Sequence, residues 1–275
     1  MRAGGNPISA QAWLRHFVHL QQQRVFKPSQ QSGTSAASSS RAAVPELPIS
    51  STSAGSVRPP TPRPETREAD PLNRGALVLG GGAEQQHLYR GGFQDIRIVH
   101  DLYYNANLRT LRVGSGDPIP VPPLDASRVA AMGSNALLDT GCSFLVLEAG
   151  THAAVMDAFA AADPRLPDLV EQSRRAFANG SGLEQHAVHA LDWPDLHFGF
   201  EAPDGATTEV RVPASQYWPR NALKPGQTLC LLAPALAHFG GQSILGLPLF
   251  AGRYAVFDRD RAGGAGVVRL ASSHG

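Results

Sequence analysis

Short apolar runs, separated by Gly, Pro, Asn and Asp, fill the chain from residue 75 to about residue 270. Runs of this length between turn-forming residues are typical of β-strands. The pattern predicts strands at Ala76–Leu79, Phe93–Val99, Tyr103–Val113, Ala136–Leu138, Phe144–Leu147, Leu196–Phe200, Val210–Val212, Leu229–Leu232, Tyr254–Phe257 and Val267–Leu270. The dipeptide Asp204-Gly205 predicts a hairpin turn between two of them.

One helix is predicted inside this region. Thr151 can cap its start, and Asp163-Pro164 stops it. Its inward face carries Val155, Met156 and Phe159. The stretch Pro167 to Gly182 is predicted as a second helix or an irregular excursion, so the region is mainly β with one or two short helices.

The chain before residue 75 differs in its composition and in the spacing of its apolar residues. Residues 1–27 predict a short amphipathic helix, with Trp13, Phe17 and Leu20 at helical spacing. Residues 28–74 contain 8 Pro and 10 Ser and no aromatic residue. Such a segment buries too little apolar surface to offset its ordering entropy, so it is predicted as a disordered linker. Its run Arg58–Pro64 favours polyproline II, either as a solvated tether or as a ligand for an SH3-type partner.

Composition narrows the class of protein. The 275 residues include 24 Lys+Arg against 23 Asp+Glu, and this balance argues against nucleic acid or a membrane surface as a partner. With 28 Gly and 22 Pro, the chain has too many helix breakers for a helical bundle. Two Cys cannot form a disulfide framework. The sequence contains neither a long apolar span nor the layout of a signal peptide, and it assigns no compartment.

The strongest local feature is Asp139-Thr140-Gly141, which lies between the apolar runs Ala136–Leu138 and Phe144–Leu147. A strand can present a carboxylate at its rigid end, and Gly lets the backbone turn with its N–H groups near that carboxylate. The Thr140 hydroxyl can hold the loop by an inward hydrogen bond. The alternative is an ordinary β-turn closed by an Asx-type hydrogen bond.

A second segment makes the interpretation of the Asp-Thr-Gly motif more specific. Ser243–Phe250 (SILGLPLF) is followed by Arg253–Arg259 (RYAVFDR) and then by Gly266–Leu270 (GVVRL). In order and spacing this series resembles the carboxy-terminal lobe of pepsin-like (A1-type) aspartic proteases, in which an apolar-apolar-Gly segment packs across the Asp-Thr-Gly loop. Looser similarities upstream, at Ala76–Gly82, Tyr89–Gly91 and Pro194–Phe198, extend the resemblance over residues 75–272. The implied fold is a single lobe of the pepsin-like double-β-barrel, preceded by a disordered tail.

The resemblance implies an aspartic-type endopeptidase that hydrolyses a polypeptide substrate without cofactor or metal. In the family, two Asp residues hold a water between them and share one proton, because two like charges so close cannot both ionise. Carried over residue by residue, the catalytic residue is Asp139. The residues that support its loop are Thr140, Gly141, Ser143, Ile244, Leu245 and Gly246. Members of the family are usually secreted or vacuolar.

The sequence departs from the family in supplying one catalytic motif. Asp139 is the only Asp followed by Thr or Ser and then Gly. The partner Asp is therefore expected from a second lobe or from a homodimer partner, as in retroviral-type proteases. The alternative is a catalytically inactive or truncated lobe that acts as a peptide-binding or interaction module.

A further departure lies beside the motif. The family usually has Ser or Thr directly after Asp-Thr-Gly, as a hydroxyl donor to the carboxylate, whereas this chain has Cys142. If Ser143 cannot reach Asp139 instead, the pKa of Asp139 is expected to rise. Cys142 and Cys230 are expected to be reduced, buried thiols rather than a disulfide.

Two other motifs carry weaker signals. The pairs His16/His19 and His186/His189 have the spacing of two metal ligands on a helix but lack a third, so no metal site is predicted. Asn179-Gly180-Ser181 is a sequon for N-glycosylation, which has meaning only if the protein enters a secretory pathway.

Overall fold

The structure is a computed structural model that describes residues 47–48, 76–79, 82–100, 103–236 and 241–274. The amphipathic helix predicted within residues 1–27 lies outside these ranges. So does the linker predicted over residues 28–74, except for the two residues of the first strand.

Strands dominate the described residues. They are β1 Leu47–Pro48, β2 Ala76–Leu77, β3 Tyr89–Arg97, β4 Asn105–Ala106, β5 Leu108–Val113, β6 Ile119–Pro120, β7 Ala136–Leu138, β8 Leu145–Leu147, β9 Leu183–Glu184, β10 Leu196–Glu201, β11 Thr207–Val212, β12 Gln227–Thr228, β13 Leu232–Pro234, β14 Ser243–Leu245, β15 Arg253–Asp258 and β16 Val267–Ser273. The helices are α1 Ala126–Met132, α2 Ala149–Ala162, α3 Leu166–Ala178, α4 Gln185–His189, α5 Ala214–Tyr217 and α6 Leu247–Phe250. A 3₁₀ turn covers Ala262–Gly264. None of the helices within the described ranges is both long enough and apolar enough to span a membrane.

The strands form three main sheets. Their strand orders are β11-β10-β5-β6, β13-β8-β14-β7-β4 and β15-β16-β3. Most neighbours are antiparallel, but β14 runs parallel to β7 and β13 runs parallel to β8. Two small pairs, β1 with β2 and β9 with β12, complete the pairing of the described strands. The architecture is mainly β with a few short helices, as the sequence predicts.

The two predicted helices are present, but the first starts earlier than expected. Helix α2 begins at Ala149, and its cap is Glu148 rather than Thr151. The Glu148 carboxylate accepts the backbone N–H groups of Gly150 and Thr151, both at 2.9 Å. Thr151 is therefore a buried residue of the first turn. The four other helices within the described ranges have only four to seven residues, too few to show a helical periodicity in the sequence.

Two predicted strands differ in extent from the observed ones. The strand predicted over Tyr103–Val113 is interrupted at Asn107, whose side-chain amide donates to Glu201 at 2.9 Å. The strand predicted over Leu229–Leu232 begins only at its last residue, because Cys230 bonds elsewhere. The Cys230 N–H donates to the hydroxyl of Ser173 on α3, at 2.8 Å.

The core lies between the sheets and the long helices. Phe198 and Phe200 of β10 are fully buried, as is Phe159 of α2. The ring of Phe159 packs edge-on against that of Trp193, with ring centroids 5.7 Å apart, and the ring centroids of Trp193 and Trp218 are 4.8 Å apart. Burying each of these large side chains contributes about 1.5–3 kcal/mol or more. This cluster holds α2 against the sheet, and α2 directly follows strand β8, which borders the candidate site.

Candidate active site

Asp139 follows β7 directly, at the point where β14 crosses between β7 and β8. In the parallel pairing with β7, Leu245 lies opposite Leu138. In the antiparallel pairing with β8, the same Leu245 lies opposite Leu145. The segment Ile244-Leu245-Gly246 thus lies across the Asp-Thr-Gly loop.

Backbone hydrogen bonds fix this loop from several sides. The N–H of Asp139 donates to the Leu245 carbonyl at 3.1 Å, and the N–H of Gly246 donates to the Phe144 carbonyl at 3.0 Å. The N–H of Leu247 donates to the Cys142 carbonyl at 2.8 Å. Within the loop, the Cys142 N–H donates a hydrogen bond to the Asp139 carbonyl at 3.0 Å. The position of Asp139 is therefore set by main-chain contacts from β14 and the residues after it.

Gly246 is required by the closeness of this crossing. A β-carbon at this position would lie 2.2 Å from the Cys142 carbonyl oxygen and 2.5 Å from that of Phe144. Both atoms belong to the backbone, so neither can move aside as the end of a side chain could. The Gly246 φ of −94° is open to any residue, so the requirement for glycine comes from space alone.

The Asp139 carboxylate is half-buried and weakly stabilised as an anion. Burial raises its pKa above the ordinary value of 3.8, and the N–H of Gly141, 2.9 Å from Oδ1, only partly offsets this. Among the described residues, Ser143 makes no hydrogen bond to Asp139. Burial is the largest cause of the raised pKa, whereas the sequence-based expectation rested on the loss of a hydroxyl donor.

The Thr140 side chain differs from expectation. It is exposed at the tip of the loop and makes no inward hydrogen bond within the described part of the chain. Because main-chain bonds already hold the loop, its conformation does not depend on the hydroxyl. Thr140 and Gly141 therefore face outward beside the Asp139 carboxylate.

The two cysteines are free and buried. The Cys142 Sγ donates a hydrogen bond to the Phe144 carbonyl oxygen at 3.4 Å, which links the two ends of this short segment. Burial raises the pKa of Cys142 to about 11 and that of Cys230 to about 12. Such thiols remain protonated at neutral pH and are poor nucleophiles.

Sequence reasoning missed the polar residues that anchor the site's strands. Asn135, just before β7, donates to the carbonyls of Leu108 and Pro122 at 2.8 and 2.9 Å, and it accepts the Leu108 N–H at 2.9 Å. Ser243 of β14 accepts the Glu148 N–H at 3.0 Å. Both side chains are buried. Their signal in the sequence is a pair of polar residues, Ser134-Asn135 or Gln242-Ser243, directly before an apolar run.

Metal ligands are not assembled in the described residues, where no three His, Cys, Asp or Glu side chains are grouped to hold an ion. His186 is instead an exposed side chain whose Nδ1 lies 3.9 Å from a carboxylate oxygen of Glu184. The other predicted pair, His16 and His19, lies outside the described ranges.

Comparison with known proteins identifies the family. A family model described as eukaryotic aspartyl protease matches residues 68–266. No curated protein matches the chain significantly. Among matching solved structures is the crystal structure of Basic 7S globulin from soybean, at 16% identity and a TM-score of 0.49, covering 74% of this chain and 50% of that one. The chain thus spans about half the length of that protein. Because the family match includes both the Asp139 loop and the segment that crosses it, the chain belongs to the eukaryotic aspartyl protease family, of the pepsin-like A1 type.

Proposed function

We propose that this lobe supplies one of the two catalytic carboxylates of an aspartic endopeptidase. The observation that carries the proposal is the placement of Asp139: a half-buried carboxylate at a strand end, held by main-chain bonds to Leu245 and flanked by the exposed residues Thr140 and Gly141. In this role Asp139 and a second Asp hold a water that attacks the scissile carbonyl of a polypeptide.

The chemistry needs both carboxylates at once. The ionised one takes a proton from the water as the new C–O bond forms, while the protonated one donates to the carbonyl oxygen. The C–N bond then breaks, and the departing amine takes up a proton. One carboxyl group cannot be both base and acid in the same step, so the isolated lobe is expected to be inert.

The second carboxylate is proposed to come from a second lobe or from a second copy of this chain. Within the 275 residues, Asp139 has the only Asp-Thr/Ser-Gly context. The exposure of Thr140 and Gly141 supports this proposal, because a partner loop can approach Asp139 there without displacing another part of the described fold.

The test combines mass in solution with activity. The full chain would be fractionated by size, and each species assayed for cleavage of an unfolded protein between pH 2 and 7. We expect activity only in a dimer or in a complex with a second lobe, and we expect Asp139→Asn to abolish it. Asp157→Asn, at an exposed position on α2, is the matched control and should cleave normally. A purified monomer that cleaves, and loses cleavage on Asp139→Asn, would show that no partner is needed.

A second candidate function is a non-catalytic peptide-binding module. The single Asp-Thr-Gly favours it, since these 275 residues contain no second Asp-Thr/Ser-Gly sequence. In this case a stable dimer would remain inert at every pH, while unfolded peptides would still bind, and Asp139→Asn would leave their affinity unchanged.

A further inference from the structure

The sequon Asn179-Gly180-Ser181 lies in an exposed turn at the end of α3. We propose that Asn179 is an acceptor for an N-linked oligosaccharide when the chain passes through a secretory compartment. The inference concerns a modification site and does not rest on the proposed protease activity.

The turn presents the Asn179 side chain to solvent. Its backbone N–H is used, donating to the Ala176 carbonyl at 3.0 Å as α3 ends. Its carboxamide, in contrast, makes no hydrogen bond to any described residue. Attachment of a sugar to this nitrogen would therefore break no contact of the described fold.

The next residue leaves room around the site. Gly180 adopts a φ of +72°, a left-handed conformation that favours glycine and turns the chain away from the helix. A β-carbon built there would have no heavy atom within 4 Å. A bulky substituent on the neighbouring side chain is accordingly not crowded by the fold.

The third sequon position carries the required hydroxyl. Ser181 Oγ donates to the Ala176 carbonyl at 3.1 Å, and its N–H donates to the same oxygen at 3.0 Å. These bonds belong to the last turn of a helix, and such turns open at a small fraction of the global unfolding free energy. The sequon can thus be released to a transferase without unfolding the lobe.

The reaction is a group transfer from a lipid-pyrophosphate-linked oligosaccharide, catalysed by a membrane transferase. A bond forms between the Asn179 side-chain nitrogen and the anomeric carbon of the first sugar. The bond from that carbon to the pyrophosphate oxygen breaks, the lipid pyrophosphate departs, and the nitrogen loses one proton.

The position of Asn179 also determines where on the lobe the sugar would be attached. Two residues before the acceptor, the ring of Phe177 packs against that of Phe144 at 5.5 Å. The backbone carbonyl of Phe144 accepts a hydrogen bond from the N–H of Gly246, next to the Asp139 loop. The oligosaccharide would be attached at the solvent-exposed end of α3, two residues after the side chain that packs against Phe144.

The test uses the full chain behind a cleavable secretion leader, translated in the presence of endoplasmic-reticulum microsomes. We expect one glycan-sized mass increase that N-glycosidase removes. It should be absent in Asn179→Gln and Ser181→Ala and retained in Ser181→Thr, since these 275 residues contain no other Asn-x-Ser/Thr sequence. Asn221→Gln, which lies outside any sequon, is the matched control. A leader-cleaved chain without the increase, or an increase that persists in Asn179→Gln, would overturn the proposal.

A second measurement tests whether the fold accommodates the sugar. Glycosylated chain and the same chain after enzymatic removal of the sugar would be compared by thermal unfolding. We expect melting temperatures within about 2 °C of each other, as for other exposed surface changes. A much lower melting temperature for the glycosylated chain would contradict the open surroundings at Gly180.

Discussion

Gly246 and Cys142 approach so closely that a β-carbon on Gly246 would stand 2.2 Å from the Cys142 carbonyl oxygen. The same carbonyl accepts the Leu247 N–H at 2.8 Å, so it cannot swing away without breaking that bond. The contact joins two segments that are far apart in the sequence. It makes the geometry of the Asp139 loop depend on a residue with no side chain.

Gly246→Ala should therefore destabilise the lobe by about 3 kcal/mol, at the upper end of the usual cost of overpacking, because the added carbon meets backbone on two sides. Urea unfolding of the full chain measures this. Gly92→Ala is the matched control, since a β-carbon at Gly92 would have nothing within 4 Å, and its cost should stay below about 1 kcal/mol. Equal stability of the two variants would mean that the crossing is looser than described.

Asp139 and Asp163 should titrate in opposite directions from the ordinary Asp pKa of 3.8. Burial raises the pKa of Asp139. Asp163 is paired with Arg165, whose side-chain and backbone hydrogen bonds lower the Asp163 pKa to about 2. Carboxyl carbon NMR of the full chain, with assignments from Asp139→Asn and Asp163→Asn, measures both. An Asp139 that titrates at or below 3.8 would contradict the effect of burial.

The same shift has a consequence for stability. Because the folded-state pKa of Asp139 lies above its unfolded value, the folded chain holds its proton more tightly, and the contribution of Asp139 to stability falls as pH rises from about 3.8 through the raised pKa. Asp139→Asn should thus gain stability relative to the wild type between pH 3 and pH 7. Unfolding curves at the two pH values test the sign, and a relative loss would refute it.

Neither thiol should react with a disulfide reagent in the folded protein at pH 7.5. Both are buried, and burial raises their pKa values to about 11 for Cys142 and about 12 for Cys230, so the thiolate is scarce. A colorimetric thiol assay should count none in the native chain and two after denaturation without reductant. Finding none after denaturation would indicate a disulfide, contrary to the structure.

Asn135→Ala should cost about 3 kcal/mol of folding free energy. The substitution leaves the buried N–H and carbonyl of Leu108 without their partner and also removes the bond to Pro122. The control is Asn179→Ala, which removes an exposed amide and should change stability by less than about 0.5 kcal/mol. Chemical denaturation compares the two, and a small effect at Asn135 would show that water replaces its hydrogen bonds.

Local sequence signals were enough for the strands that have apolar residues and clear turns at both ends. Ala136–Leu138 was predicted with its observed bounds, and the hairpin at Asp204-Gly205 joins β10 and β11 as expected. The start of α2 was wrong because Glu148 lies three residues before Thr151, and a carboxylate can cap a helix as a hydroxyl does. The break in the strand at Cys230 could not be predicted, since it depends on Ser173 of a distant helix.

The candidate site was predictable in outline, because its two segments resemble a known family in order and spacing. The contact of Leu245 with Asp139 follows from that resemblance and not from any local pattern. The outward direction of Thr140 was missed, since a sequence does not say which bonds the main chain will already have made. The anchoring role of Asn135 was missed for the same reason: its partners belong to strand β5 and to Pro122.

The insertion of β14 between β7 and β8 has a consequence for folding during synthesis. A growing chain that ends before Ser243 holds β7 and β8 but lacks the strand that joins them. Such distant pairings form late, because a long loop must close first. Asp139 is therefore synthesised about a hundred residues before Leu245, and the carboxylate reaches its final position only after Leu245 has been made.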